Sequence, residues 1–192
     1  MSMRLSEIHP SLVHFPLALL PIAVGADTIG NFTGNRKLNY VGKLAIAGAA
    51  ITASVAGVFG LIAQEEVSLD EEGEKVLHTH RTLNIGGLGV LTTMAVLRAS
   101  RKKPSVGYLV TGFSALAVTL FSAYLGGKLV YDHGAGVRRV GVGAADPEIT
   151  RGRTMAAAAR AARDLGQGIK HTAEDAKHGD FLPALKPKKW LS

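Results

Sequence analysis

The stretch VGKLAIAGAAITASVAGVFGLIA, Val41–Ala63, is an apolar run of 23 residues. A bilayer hydrocarbon core about 30 Å thick needs about 20 residues of helix, so this run is long enough to cross it. Ala49, Ala53 and Gly57 recur four apart within it, with Gly60 close by. Small residues at that spacing let helix backbones approach closely in lipid. Three further apolar stretches flank the run: Leu12–Ile29, Thr82–Leu97 and Val106–Gly127. The last also meets the length requirement. The first is short and carries Pro16 and Pro21, and the third reaches full length only with His80 and Arg81. Those two residues are therefore expected at the membrane interface, where ionisable groups need partners.

Composition points the same way. Of the 192 residues, 47% are hydrophobic and 19% charged, with a mean hydropathy of +0.19. Soluble domains are nearer 25% charged. The expected fold class is all-α: a four-helix transmembrane bundle over residues 1–133, then a basic extramembrane tail, partly helical or disordered, over residues 134–192. The N-terminal stretch lacks a strongly basic start (Arg4 is offset by Glu7) and a small-residue cleavage site, so a retained first helix is expected. The chain has no cysteine, which removes disulfides, thiolate metal sites, cysteine-ligated iron–sulfur clusters and covalent c-type haem from consideration.

If each stretch crosses once, the start of the first, end of the second, start of the third and end of the fourth share one side. That side collects His9, His14, His78, His80 and His133, five of the seven histidines, with Gln64, Glu65, Glu66, Tyr131 and Asp132. The connections on the other side are basic: Arg36 and Lys37 in one, Arg98, Arg101, Lys102 and Lys103 in the other. Short basic loops stay in the cytoplasm, which favours a multi-pass membrane protein with its termini and histidines outside.

Local patterns refine this picture. In His9-Pro10-Ser11-Leu12-Val13-His14-Phe15-Pro16, Pro10 suits a first helical turn, and Pro16 should loosen the turn that reaches back to residue 12. Ser68-Leu69-Asp70-Glu71 reads as a capping box that opens a helix running into the third span. On that helix His78 and His80 point about 200° apart. Gly86 and Gly87 either pack helices or leave room for a flat cofactor. Asp132 is placed to orient His133 or to cap the helix end, and Lys128 to reach the headgroups. In the tail, Asp146-Pro147-Glu148 reads as a helix start, Met155–Leu165 is alanine-rich without a strong apolar stripe, and Gly166, Gly168 and Gly179 interrupt the residues after it. With 11 basic and 6 acidic residues, the tail reads as a solvated extension or as an arm for a partner subunit or anionic lipid, with Trp190 as an interfacial anchor. Nucleic acid is not expected, because no recognised motif accompanies the charge.

Three motifs in order carry a resemblance: His-Pro-x-x-Val-His-Phe-Pro from His9, His-x-His from His78, and Gly-Gly-x-Leu-Val-Tyr-x-His-Gly-x-Gly-Val from Gly126. Over about residues 5–140 the chain resembles the bacterial membrane family called domain of unknown function 2231. The resemblance implies four transmembrane helices. Some members are fused to a Rieske-type domain, which implies redox work and a candidate b-type haem. Without cysteine in its tail, this chain would need its electron partner on a separate polypeptide.

Three functions arise as alternatives. The first is a redox subunit binding b-type haem through His14 and His80, with His133 as substitute ligand and Arg81, Arg138 or Arg139 on a propionate. The second is a cofactor-free accessory subunit whose tail and spans contact membrane lipid and other membrane-protein subunits. The third is a divalent-metal or quinone site built from the same histidines with Glu65, Glu66 and Asp132. No phosphate-binding loop or nucleophile elbow is present to support a nucleotide enzyme or hydrolase.

The topology is testable because the chain has no native cysteine. Single cysteines at Asn35 and Ser105 should label from one side of the membrane with an impermeant maleimide, and a cysteine at Asp70 from the other. Labelling of all three from the same side would end the four-span arrangement.

Overall fold

The computed structural model describes residues 8–136, 154–179 and 181–186. Within them the chain is helical, with α1 at Ile8–Leu12, α2 at His14–Thr33, α3 at Arg36–Ala63, α4 at Glu71–Ala99, α5 at Val106–Tyr131 and α6 at Thr154–His178. Short 3₁₀ turns come after α3 at Gln64–Glu66 and lie at Pro183–Leu185. Among the described residues there is no strand. Four helical segments are long and apolar enough to span a bilayer: Ile8–Thr33, Arg36–Glu66, Glu71–Ala99 and Val106–Tyr131. The break between α1 and α2 falls at Val13, in the turn where Pro16 has no N–H to offer.

The chain forms two compact units. One comprises Ile8–Val58 and Leu83–Ala123, and the other Phe59–Thr82 and the described residues from Tyr124 onward. The first, the core unit, packs Leu20 and Val24 of α2, Ile46 of α3, Leu91 and Met94 of α4 and Leu109 of α5 into one buried cluster. The spacing of four between Leu20 and Val24 and of three between Leu91 and Met94 puts each pair on a single helix face. The remaining faces are also apolar: Ile29, Phe32, Ile51, Val96, Val110 and Phe113 are exposed. A helix apolar on every side suits a hydrocarbon surround.

The second unit gathers the end of α3, the start of α4, the end of α5 and all of α6. The start of α4 is fixed by Asp70, whose Oδ1 accepts the Gly73 N–H at 2.8 Å. Asp70 therefore caps this helix, and not Ser68 as the capping-box spacing predicts: Ser68 stands two residues outside the first helical turn. The same oxygen accepts His133 Nδ1–H at 2.9 Å. Gly134, at φ +68°, turns the chain out of α5 and frees His133 to make that contact. Asp132, placed by the sequence either to orient His133 or to cap the helix end, pairs with Lys128 one turn back, at 3.1 Å.

The tail helix also differs from expectation. It continues through Gly166 and Gly168 to His178, and its inner stripe runs through Ala157, Ala161, Leu165, Gly168 and Thr172. A Cβ on Gly168 would lie 2.6 Å from the Leu61 carbonyl oxygen, so the glycine permits backbone contact where an interruption was expected. The face is made mostly of small residues around Leu165, and it forms an apolar stripe only when the helix is followed through Gly166 and Gly168 to its end. Beyond α6, the Ala184 N–H donates to the buried Thr79 Oγ1 at 3.0 Å. The expected helix start at Asp146, the cations Arg138 and Arg139, and Trp190 lie outside the described residues.

The Gly73 N–H and His133 hold the Asp70 carboxyl below the usual carboxylate range, the backbone contact being the larger cause. A carboxyl with a depressed folded value contributes stability above its unfolded value, and that contribution is lost as pH falls through the folded one. Protection of the Gly73 amide, measured by hydrogen exchange and corrected for intrinsic rate, should thus hold near neutrality and fall below about pH 4. Asp70→Asn should keep the cap but lose this acid dependence, and Asp70→Ala should lose protection throughout. A pH-independent wild-type amide would contradict the assignment.

Candidate functional site

Within the second unit, α4 places His78 and His80 on opposite sides, as their spacing requires. His80 faces α5, and a Cβ on Gly126 would meet its Cε1 at 3.1 Å. The glycine is what lets the imidazole lie against that helix. His78 faces α6, with Nε2 3.5 Å from Asp175 Oδ2. Arg81, one turn on, donates to the same Asp175 oxygen and, at 2.9 Å, to Gln64 Oε1. On α6, His171 Nδ1 lies 3.1 Å from Glu65 Oε1. With His133–Asp70, three imidazole–carboxylate pairs and one guanidinium–carboxylate pair cross between separate elements of this unit.

A polar cleft of about 500 Å³ opens beside these pairs, lined among others by Glu74, His78, Arg81, His171, Glu174 and Asp175. Its chemistry is that of charge pairing. Among the described residues, no group of three or more histidine and acidic side chains is arranged to hold a metal ion.

The four sequence-derived site residues divide between the units. His80, Arg81 and His133 belong to the second unit, and His14 to the core unit, where it opens α2 and is exposed. Of the two histidines in the first motif, His9 makes the helix contact: its Nδ1–H donates to the Ala56 carbonyl at 2.8 Å.

A second polar site, inside the core unit, escapes a reading centred on histidine. Arg98 is 1% exposed and Asp27 0%. Arg98 Nε and Nη2 donate to the two Asp27 oxygens at 2.9 and 2.7 Å, Nη2 also to the Asn39 carbonyl at 2.7 Å, and Nη1 to the Arg101 carbonyl at 2.6 Å. Asn39 Nδ2 in turn donates to the Gly30 carbonyl at 3.0 Å. A Cβ on Gly42 would fall on the Asp27 carboxylate, so this glycine makes room for the acid. Tyr108 is buried beside the pair, its hydroxyl without a hydrogen bond of normal geometry. Counting Arg98 with Arg101, Lys102 and Lys103 as a loop cation is therefore incorrect: it is the buried, last-turn residue of α4. The signal available was Asp27, the only acidic residue of its apolar stretch, at the same expected end of the spans as Arg98.

Comparison with known proteins adds the family. No curated protein and no solved structure matches the chain significantly. The profile of one family, described as a predicted membrane protein (domain of unknown function 2231), matches residues 6–139. That span takes in four apolar helices, the three histidine motifs and the Asp27–Arg98 pair, and the chain belongs to this membrane-protein family.

Proposed function

We propose that the chain is a non-catalytic, integral subunit of a bacterial inner-membrane complex of the redox or energy-converting kind, and that its histidine-rich face serves assembly. The observation that carries this reading is how the imidazoles are used. His78, His133 and His171 each meet a carboxylate from another element, and His9 donates to a backbone carbonyl. Side chains so engaged hold helix ends together. The docked helix α6 presents Arg163, Lys170 and Lys177 outward, all exposed, to an anionic headgroup layer or to an acidic surface on a neighbouring subunit.

The second reading is a b-type haem held by His14, His80 and His133, with Arg81 on a propionate. In its favour, Asp70 orients His133 through Nδ1, the arrangement by which carboxylates behind a metal ligand present the other ring nitrogen to the metal. Against it, His80 is seated on Gly126, and Arg81 is already shared between Gln64 and Asp175. Neither the polar cleft nor an apolar cleft between α4 and α5 is lined by His14, His80 or His133. These residues do not fit a haem as they stand. A divalent-metal or quinone site using Glu65, Glu66 and Asp132 has less support, since Asp132 is paired with Lys128 and Glu65 with His171.

One spectrum separates the readings. Protein purified in detergent from haem-replete cells should show no Soret band, oxidised or dithionite-reduced, and should migrate in native gels of its own membranes within a larger assembly. A Soret band lost in His14→Ala and in His80→Ala, yet kept in His9→Ala and His78→Ala, would overturn the accessory reading in favour of haem.

A further inference from the structure

The core unit contains a cleft between α4 and α5, and Arg98 and Tyr108 of the buried Asp27–Arg98 site are among its lining residues. Its volume is about 580 Å³, and Gly86, Gly89 and Thr93 on one helix face Gly107 and Thr111 on the other, with Arg101 at the loop end. Gly86, Gly89 and Gly107 are exposed and a Cβ on any of them would meet nothing within 4 Å, so the cleft opens on the outer surface of the helices. Both walls belong to helices that cross the membrane, and residues on their flanks such as Val90, Val96 and Val110 are exposed and apolar. A lipid acyl chain is the material that lies against such a cleft in a bilayer.

The loop end makes the site amphiphilic. Arg101, Lys102 and Lys103 are exposed and consecutive, and no acidic residue lies between Arg98 and Ser105. Arg98 itself is neutralised by Asp27, so the uncompensated charge resides in these three side chains. The loop is also held in place, because Arg98 Nη1 donates to the Arg101 carbonyl at 2.6 Å and Ser105 Oγ accepts the Tyr108 N–H at 3.2 Å. Arg101 at the mouth of the cleft, with Lys102 and Lys103 next to it in the loop, complements one ligand: a phospholipid with a negatively charged headgroup and an acyl chain to lie along the open groove.

We infer that the α4–α5 cleft is a binding site for an anionic phospholipid of the surrounding bilayer, with an acyl chain along Gly86, Gly89 and Thr93 and the phosphate at Arg101–Lys103. The inference rests on the membrane assignment and stands whether or not the accessory reading holds. The two halves of the site have separate signatures. The cations set the preference for negative charge and its salt dependence, while the glycines set whether the chain is accommodated at all.

The test is native mass spectrometry of the full chain, delipidated in detergent and titrated with dioleoyl phosphatidylglycerol or dioleoyl phosphatidylcholine. Wild type should bind one phosphatidylglycerol about tenfold or more tighter than phosphatidylcholine. Arg101→Gln/Lys102→Gln/Lys103→Gln should bring the two lipids to equal affinity. Gly89→Leu should abolish the one-lipid adduct of both, with helix content and thermal midpoint near wild type. If Gly89→Leu misfolds, Thr111→Leu on the opposite wall serves the same purpose. Equal affinity for the two lipids in wild type, or full phosphatidylglycerol affinity in a correctly folded cleft-filled variant, would overturn the inference.

Discussion

A charge carried on a membrane-spanning helix has to find its partner inside the protein, and the core unit is organised around one such pair. Asp27 and Arg98 are both essentially without exposure and meet through two hydrogen bonds. Removing two ions from water costs more than their attraction returns unless the geometry is good and the remaining polar atoms are satisfied. Here the guanidinium directs its remaining donors to the Asn39 and Arg101 carbonyls. Three helices and the loop after α4 are thereby tied to one point. In lipid, where apolar contact between helices gives little net drive, such a point fixes which faces of α2, α3 and α4 meet. Gly42 is part of the same device, since any side chain there would displace the acid.

The second unit meets the same constraint by different means. Its ionisable groups lie at helix ends and on α6, and they are joined in pairs that each cross from one element to another: Asp70 with His133, Asp175 with Arg81 and His78, Glu65 with His171. Such half-exposed pairs contribute modestly one by one. Their use is positional. They hold the end of α3, the start of α4, the end of α5 and α6 in one arrangement, with His80 against Gly126 on the other side of α4. A face assembled in this way is a stable platform, which is why the accessory-subunit reading draws on it.

Much of the fold is legible in the sequence because membrane spans are coded by length and apolarity. Val41–Ala63 and Val106–Gly127 identify themselves, and Pro16 marks the break at Val13. The grouping of the end of α3 with the start of α4 and the end of α5 comes from counting crossings. Partners of individual side chains are less legible, for identifiable reasons. His133 sits beside Asp132 in sequence but takes Asp70 because the turn at Gly134 points it across to α4. Ser68 and Asp70 are both good caps, and the Ser68–Glu71 spacing favours the one that the helix does not use. The α6 interface is carried largely by alanine and glycine around Leu165, and its stripe is missed when the helix is expected to break at Gly166 and Gly168. Arg98 was hidden among lysines and arginines of a basic loop, although Asp27 stood out as a lone acid in an apolar stretch.

The central claim is that Asp27 and Arg98 act as one unit, and a double-mutant cycle tests it most directly. Unfolding of wild type, Asp27→Asn, Arg98→Met and the double variant would be followed by circular dichroism in mixed micelles of increasing denaturing detergent. Each single change leaves a buried polar group without its counterpart and should cost on the order of 3 kcal/mol. The double variant should cost less than the sum of the two, with a coupling of about 2–3 kcal/mol. Additive single effects, or single variants as stable as wild type, would contradict the account.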